Sequence, residues 1–213
     1  MAELEAIIED IQRAFETRTR VRDEMLKQAR YLTRHCAHAI RAIHRQEFEQ
    51  ASQQLAQAGA LADELTRHAR QHPDLYYAGY TQDALKEYAE AHLTMALVRD
   101  TDLPTPEELQ VDIVAYIKGL AEAAGELRRR CLDVLRHNDA AEANRLLDRM
   151  DDIYAALVTM DYPDAVTGGL RRLTDVLRSL LERTRGDLTM SLRQQRLEKQ
   201  LQRFEELIKR STS

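Results

Sequence analysis

The sequence predicts an all-α fold, and three observations carry that prediction. Ala, Leu, Arg, Glu and Gln dominate the chain, residues that lose little rotamer freedom in a helix. Helix breakers are scarce: 7 Gly and 4 Pro in 213 residues. Apolar residues recur at spacings of three and four along nearly the whole length, the period of a helix with one buried face. Apolar residues make up 44% of the chain, enough to close a core, and no Pro- or Gly-rich linker divides it. A single helical domain spanning 1–213 is therefore expected.

The few breakers set the elements. From Glu3 to about His44 there is no Gly or Pro, and Leu4, Ile7, Ile8, Ile11, Met25, Ala29, Leu32, Cys36, Ile40 and Ile43 keep helical register. One very long first helix follows, with a weak point at "FETRTR". A second helix is expected from Gln46 to Arg70, closed by "QHPD", and a third from Leu75 to Arg99. Thr105, Pro106 and Glu108 form an N-cap, a first-turn proline and a capping box, so a fourth helix should run from there to about Arg136. Its apolar stripe is Ile113, Ile117, Leu120, Ala124, Leu127 and Cys131. After "HND" a fifth helix reaches Met160, and a last helix or helix pair follows Pro163, with Gly168, Gly169 and Gly186 as soft points. Short connections favour antiparallel neighbours in one bundle. The first helix would be roughly 60 Å long at 1.5 Å per residue, more than a small monomer can cover, so its far end is expected to meet another chain.

Charge and composition exclude several classes. A net charge of −5 argues against a globally basic nucleic-acid binder but not against a local basic face. Cys36 and Cys131 lack metal-ligand spacing and read as small buried hydrophobes of a reducing compartment. "MAELEAIIED" has acids where a secretory leader has lysines, and no apolar run reaches membrane-spanning length, so a soluble cytoplasmic protein is expected. No Gly-x-Ser-x-Gly or phosphate-binding loop occurs, and Tyr76 and Tyr77 read as core aromatics before base-stacking ones.

Two features bear on chemistry. Glu87 and Glu90, three apart, share one face of the third helix, and Glu122 and Glu126, four apart, share one face of the fourth. Four hard oxygen donors suit Mg²⁺ or Mn²⁺. They suit neither zinc nor a di-iron bundle, since no Glu-x-x-His accompanies them. On spacing alone a solvated acidic face is the default reading, though the small residues Ala115, Gly119 and Ala123 beside Glu122 would let another backbone come close. No histidine or lysine is assigned to this set. The second feature is basic: between Arg13 and Arg45 stand nine Arg or Lys against Glu16, Asp23 and Glu24. Arg30, Arg34 and Arg41, with His38, follow one helical line, either a solvated face or a phosphate-binding stripe.

Four segments then resemble the translin family, which includes translin-associated factor X. They are "ARYLTRHCAHAIRAIHR" (29–45), "ALKEYAEA" (84–91), "AYIKGLAEAAGELRRR" (115–130) and "LRRLTDVLRSLLERTRG" (170–186), in family order over nearly the whole chain. The second is more similar to factor X than to translin. The resemblance implies a seven-helix bundle of long antiparallel helices assembled into closed octamers that enclose single-stranded RNA or DNA. The resemblance leaves both a homo-octamer and assembly with a paralogue open. It also implies a Mg²⁺-dependent endoribonuclease centre whose acidic residues fall on Glu87, Glu90, Glu122 and Glu126, with Mn²⁺ as the other candidate ion. Arg30, Arg34, Arg41 and Arg45 then become the nucleic-acid contacts. The alternative within the family is a non-catalytic, translin-like oligomer that only binds single-stranded nucleic acid. The chain departs from the factor X pattern at Glu122, where the family has Asp, and at Ala115, where it has Asp before the tyrosine. It also lacks the basic segment that follows translin's paired tyrosines.

Overall fold

Helix is the only regular structure among the described residues of the computed structural model, which are 2–211. In chain order the helices are α1 (Ala2–His44), α2 (Phe48–Gln71), α3 (Pro73–Tyr76), α4 (Gly79–Arg99), α5 (Pro106–Leu109), α6 (Ile113–Arg136), α7 (Ala140–Val158), α8 (Asp164–Thr167) and α9 (Leu170–Ser211). Six are long, and α3, α5 and α8 are single turns. None is long and apolar enough to cross a membrane.

Several boundaries differ from the sequence expectation, each for a local reason. α1 runs through "FETRTR" unbroken. No residue there lacks an N–H or demands another backbone conformation. The expected third helix is interrupted after one turn. The Thr81 hydroxyl donates to the Leu75 carbonyl at 2.8 Å and the Gln82 amide to the Tyr76 carbonyl at 2.9 Å, so α3's end is satisfied by side chains and α4 starts afresh. The capping box forms as expected: Thr105 Oγ1 accepts from Glu108 N, and Glu108 Oε2 accepts from Thr105 N at 2.8 Å. It caps only α5, because Gln110 turns left-handed at φ 53°. α6 then restarts, with Asp112 Oδ1 accepting from Val114 N at 2.8 Å. Gly168 (φ 59°) and Gly169 (φ 88°) separate α8 from α9, whereas Gly186 leaves α9 continuous.

Two compact units make up the chain: residues up to 96 with 103–119, and residues 97–102 with those from 120 onward. In the first, α1 packs along α2. The pair is joined by a three-residue turn in which Gln46 (φ 62°) and Glu47 return hydrogen bonds to Ile43 and Ala42. Its core takes Met25, Leu32, Cys36 and Ile43 from α1, Leu55 and Leu65 from α2, and Leu85 and Leu93 from α4. In the second unit α7 packs on α9, and Leu127, Leu146, Met150, Leu157, Leu177 and Leu181 are buried. Cys131 donates to the Ala143 carbonyl at 3.5 Å, and Arg128 reaches Thr184 and Asp187 of α9. Arg145 closes the last turn of α4 by donating to the Leu97 and Val98 carbonyls. Both cysteines are free and buried, as expected.

Two stretches lie outside these cores. Leu4, Ile7, Ile8, Ile11 and Phe15 form an exposed apolar line on the first four turns of α1, and Leu197, Leu201, Phe204, Leu207 and Ile208 do so on the last turns of α9.

Candidate functional site

α4 is apolar around most of its second half, and that burial reaches its carboxylates. Glu90 is only 7% exposed and Glu87 half-buried. A carboxylate oxygen of each lies within 4.8 Å of one on the other. Two buried like charges this close are costly without compensation. The negative potential extends to α1: Glu87 and Glu90 add to the effect of burial in pushing the Cys36 thiol far above its ordinary value. Some compensation comes from Lys86, whose ammonium stands 3.1 Å from Glu87 Oε1 with only 15% of its side chain exposed. This corrects the sequence reading, which assigned no lysine to the set. Lys86 precedes Glu87 directly in the chain.

The first turns of α6 correct a second expectation. Ile113, read as the start of the apolar stripe, is 64% exposed, while Ala115, Gly119 and Ala123 are buried. Within the first unit, Gly119 lies against the α4 main chain at Lys86 and Glu90. The helix thus turns its small residues inward where two backbones meet, which hydrophobicity alone does not foresee. Glu122 and Glu126 follow Gly119 one and two turns later on the same face of α6. They belong to the second unit and are half-buried, and Glu126 has Arg129 at 3.8 Å.

Arg30, Arg34 and Arg41 emerge together on the exposed side of α1, opposite Leu32, Cys36 and Ile43, and Arg45 is exposed in the turn that follows α1. Among the described residues, no carboxylate engages these four guanidinium groups. His38, on the same line, is held below its ordinary pKa, first by desolvation and then by Arg41, Arg34 and His35. The stripe also holds Lys27 and Tyr31, which sequence reasoning missed. Lys27, Arg30, Tyr31 and Arg34 line an open hollow of about 310 Å³, with Tyr31 46% exposed. The signal was present: an aromatic side chain between cations at helical spacing. Tyr76 and Tyr77 instead pack edge to face, with ring centroids 4.9 Å apart.

A cavity of about 340 Å³ links the two features inside the first unit. α1 contributes Leu26, Ala29, Arg30 and Thr33, and α4 contributes Tyr80, Asp83, Ala84 and Glu87. Arg30 of the basic stripe and Glu87 of the carboxylate pair therefore open on the same space.

A profile of the translin family matches residues 8–208. An uncharacterised protein of Methanocaldococcus jannaschii is 32% identical over 190 residues, covering 87% of this chain and 82% of that protein. Among solved structures, AfC3PO in complex with duplex RNA is 31% identical at a TM-score of 0.80, covering 86% of this chain and 95% of that one. Apo-NeC3PO, at 18% identity and a TM-score of 0.79, shares the fold.

Proposed function

The chain is a member of the translin family, and from that premise we propose that it binds RNA and cuts single-stranded RNA as a Mg²⁺-dependent endoribonuclease. The observation that carries this reading is the shared cavity: a cationic, phosphate-seeking side chain, Arg30, and an acidic metal-seeking one, Glu87, open on one space. The structure of AfC3PO in complex with duplex RNA supports RNA as the ligand class.

The donor chemistry fits a hard divalent cation. Glu87 and Glu90 present oxygens only, close enough together for both to face one ion. In this reading Glu87, Glu90, Glu122 and Glu126 hold Mg²⁺, or Mn²⁺ in its place. The factor X-like third-helix motif belongs to the same proposal. A bound divalent cation supplies electrostatic stabilisation of charge building on the attacked phosphate and favours deprotonation of water. Arg30, Arg34, Arg41 and Arg45 hold the backbone phosphates, and Tyr31 offers a stacking face between them. A carboxylate of the set takes the proton of the attacking water. Lys86 balances Glu87 when no cation is present. The exposed apolar lines of α1 and α9 support self-assembly, a homo-octamer or a mixed particle with a paralogue, which would enclose the RNA.

Labelled single-stranded RNA incubated with protein in Mg²⁺ and in chelator tests the proposal, with a duplex of the same sequence as competitor. Cleavage in Mg²⁺ alone is expected, and Glu90→Gln should abolish it while RNA binding persists. Glu90→Gln cutting at the wild-type rate removes that residue from the site. Wild-type protein that binds without cutting leaves the non-catalytic oligomer as the function.

A further inference from the structure

We infer that the cavity between α1 and α4 is a base-selective subsite, which receives one unpaired nucleobase bearing an exocyclic amino group. The inference rests on RNA being the ligand. It adds Asp83, Thr33 and the cavity floor, none of which belongs to the carboxylate set or the basic stripe.

The volume comes first. About 340 Å³ lies at the small end of ligand pockets, which run from about 300 to 1,000 Å³. That is room for one flat ring system and its sugar. The chemistry of the walls comes second. Leu26, Ala29 and Ala84 supply apolar surface with the Tyr80 side chain beside them, an environment that favours an unstacked base over water.

The polar groups decide which base. Arg30, from α1, can only donate, and Asp83, from α4, can only accept. Both are exposed, and the two are not paired with each other across the cavity they share. A ligand with an anionic end and a donor end satisfies both. A nucleotide has these ends when its phosphate meets Arg30 and an amino group meets Asp83. Cytosine offers that donor at its 4-position, where uracil offers a carbonyl oxygen, and the two rings are otherwise nearly the same size. A carboxylate against the uracil carbonyl leaves two acceptors facing each other with no proton between them, which is disfavoured. In a duplex the same edge is already spent on pairing, so only unpaired bases qualify. Since Glu87 also borders the cavity, the selected nucleotide would lie beside the carboxylates, and the preference should appear in where RNA is cut.

The test needs no cleavage. Fluorescence anisotropy of end-labelled oligo-C and oligo-U hexaribonucleotides, titrated with full-length protein in excess chelator at neutral pH and low salt, gives the affinity ratio. Oligo-C should bind about tenfold more tightly. Asp83→Asn, whose amide can donate as well as accept, should bring the ratio to about one. Thr33→Trp, which fills the cavity from a half-buried position, should do the same by a different route, with circular dichroism confirming that each variant is helical. Equal wild-type affinities, or an undiminished ratio in either folded variant, overturn the subsite while leaving RNA binding intact. If neither oligonucleotide binds even at low salt, the RNA reading fails and the subsite with it.

Discussion

Gly119 of α6 lies directly against the main chain of Glu90 on α4. A β-carbon at Gly119 would stand 2.9 Å from the Glu90 nitrogen and 2.9 Å from the Lys86 carbonyl oxygen. Both are backbone atoms and cannot swing aside. In an isolated helix, Gly→Ala stabilises by about 1 kcal/mol. Here the added methyl must push two helices apart, so Gly119→Ala is expected to destabilise by about 1–3 kcal/mol. Chemical denaturation reads this out. A Gly119→Ala protein as stable as wild type would show that the helices have slack at this point.

The basic line on α1 should bind through phosphates. Arg34→Glu with Arg41→Glu reverses two exposed guanidinium groups that no carboxylate engages. Affinity for single-stranded RNA should fall at every sequence alike, and the salt dependence should become shallower by about one unit of log–log slope per lost phosphate contact. Because neither side chain is buried, the melting transition should stay close to wild type. Unchanged RNA affinity at low salt would move the binding surface off this helix.

How much of this was legible in the sequence differs between face and depth. The arginine line was readable because α1 has no breaker, so spacing translates directly into a face. The buried ends of the helices were less so. Thr105 and Glu108 announced a helix start correctly, but nothing in "ELQVDI" signals that Gln110 ends it after one turn. The carboxylate pair was legible as a spacing, and the apolar second half of its helix pointed to partial desolvation; how deep Glu90 lies depends on the small face of α6 being the inner one. Hydrophobicity ranked Ile113 above Gly119 at that contact and had the order reversed, since backbone proximity selects for the absence of a side chain. Asp83 was invisible as a site residue because its role depends on which cavity it borders.

His92 provides a pH prediction. Its ring packs edge to face on Tyr88, with centroids 4.6 Å apart, its Nε2 is buried without a partner, and burial lowers its pKa from 6.5 to about 4. Between those values the unfolded chain takes up a proton that the folded chain refuses. His92's contribution is therefore complete above pH 6.5, declines as pH falls, and levels off below about 4. The difference corresponds to at most about 3 kcal/mol. His92→Phe keeps a ring against Tyr88 and removes the titration. Its denaturant midpoint should fall less than wild type's between neutral and mildly acid pH. Parallel losses in both proteins would assign the acid sensitivity to other groups.

The last prediction concerns the far end of α1. Leu4, Ile7, Ile8, Ile11 and Phe15 fall on one stripe at spacings of three and four, and each is between 43% and 64% exposed. The last turns of α9 carry a similar line, Leu197, Leu201, Phe204 and Ile208, between 48% and 62% exposed. Apolar stripes this long are uncommon on the surface of a monomer, and helical stability in water comes mostly from packing such a face. Self-association of this 24.6 kDa chain is the expected way to cover them. Ile8→Asp with Phe15→Asp places two charges in the middle of the α1 stripe while touching no residue of the folded core. Light scattering coupled to size exclusion should show wild type as a particle several chains in mass and the double variant as a much smaller one. The helical signal of the core should remain and RNA affinity should weaken, because an enclosing particle presents many basic lines at once. Wild-type protein that elutes as a monomer at micromolar concentration would refute the assembly. A double variant that keeps the full mass would place the contacts on α9 or elsewhere, and the equivalent change at Leu201 and Phe204 would then be the decisive one.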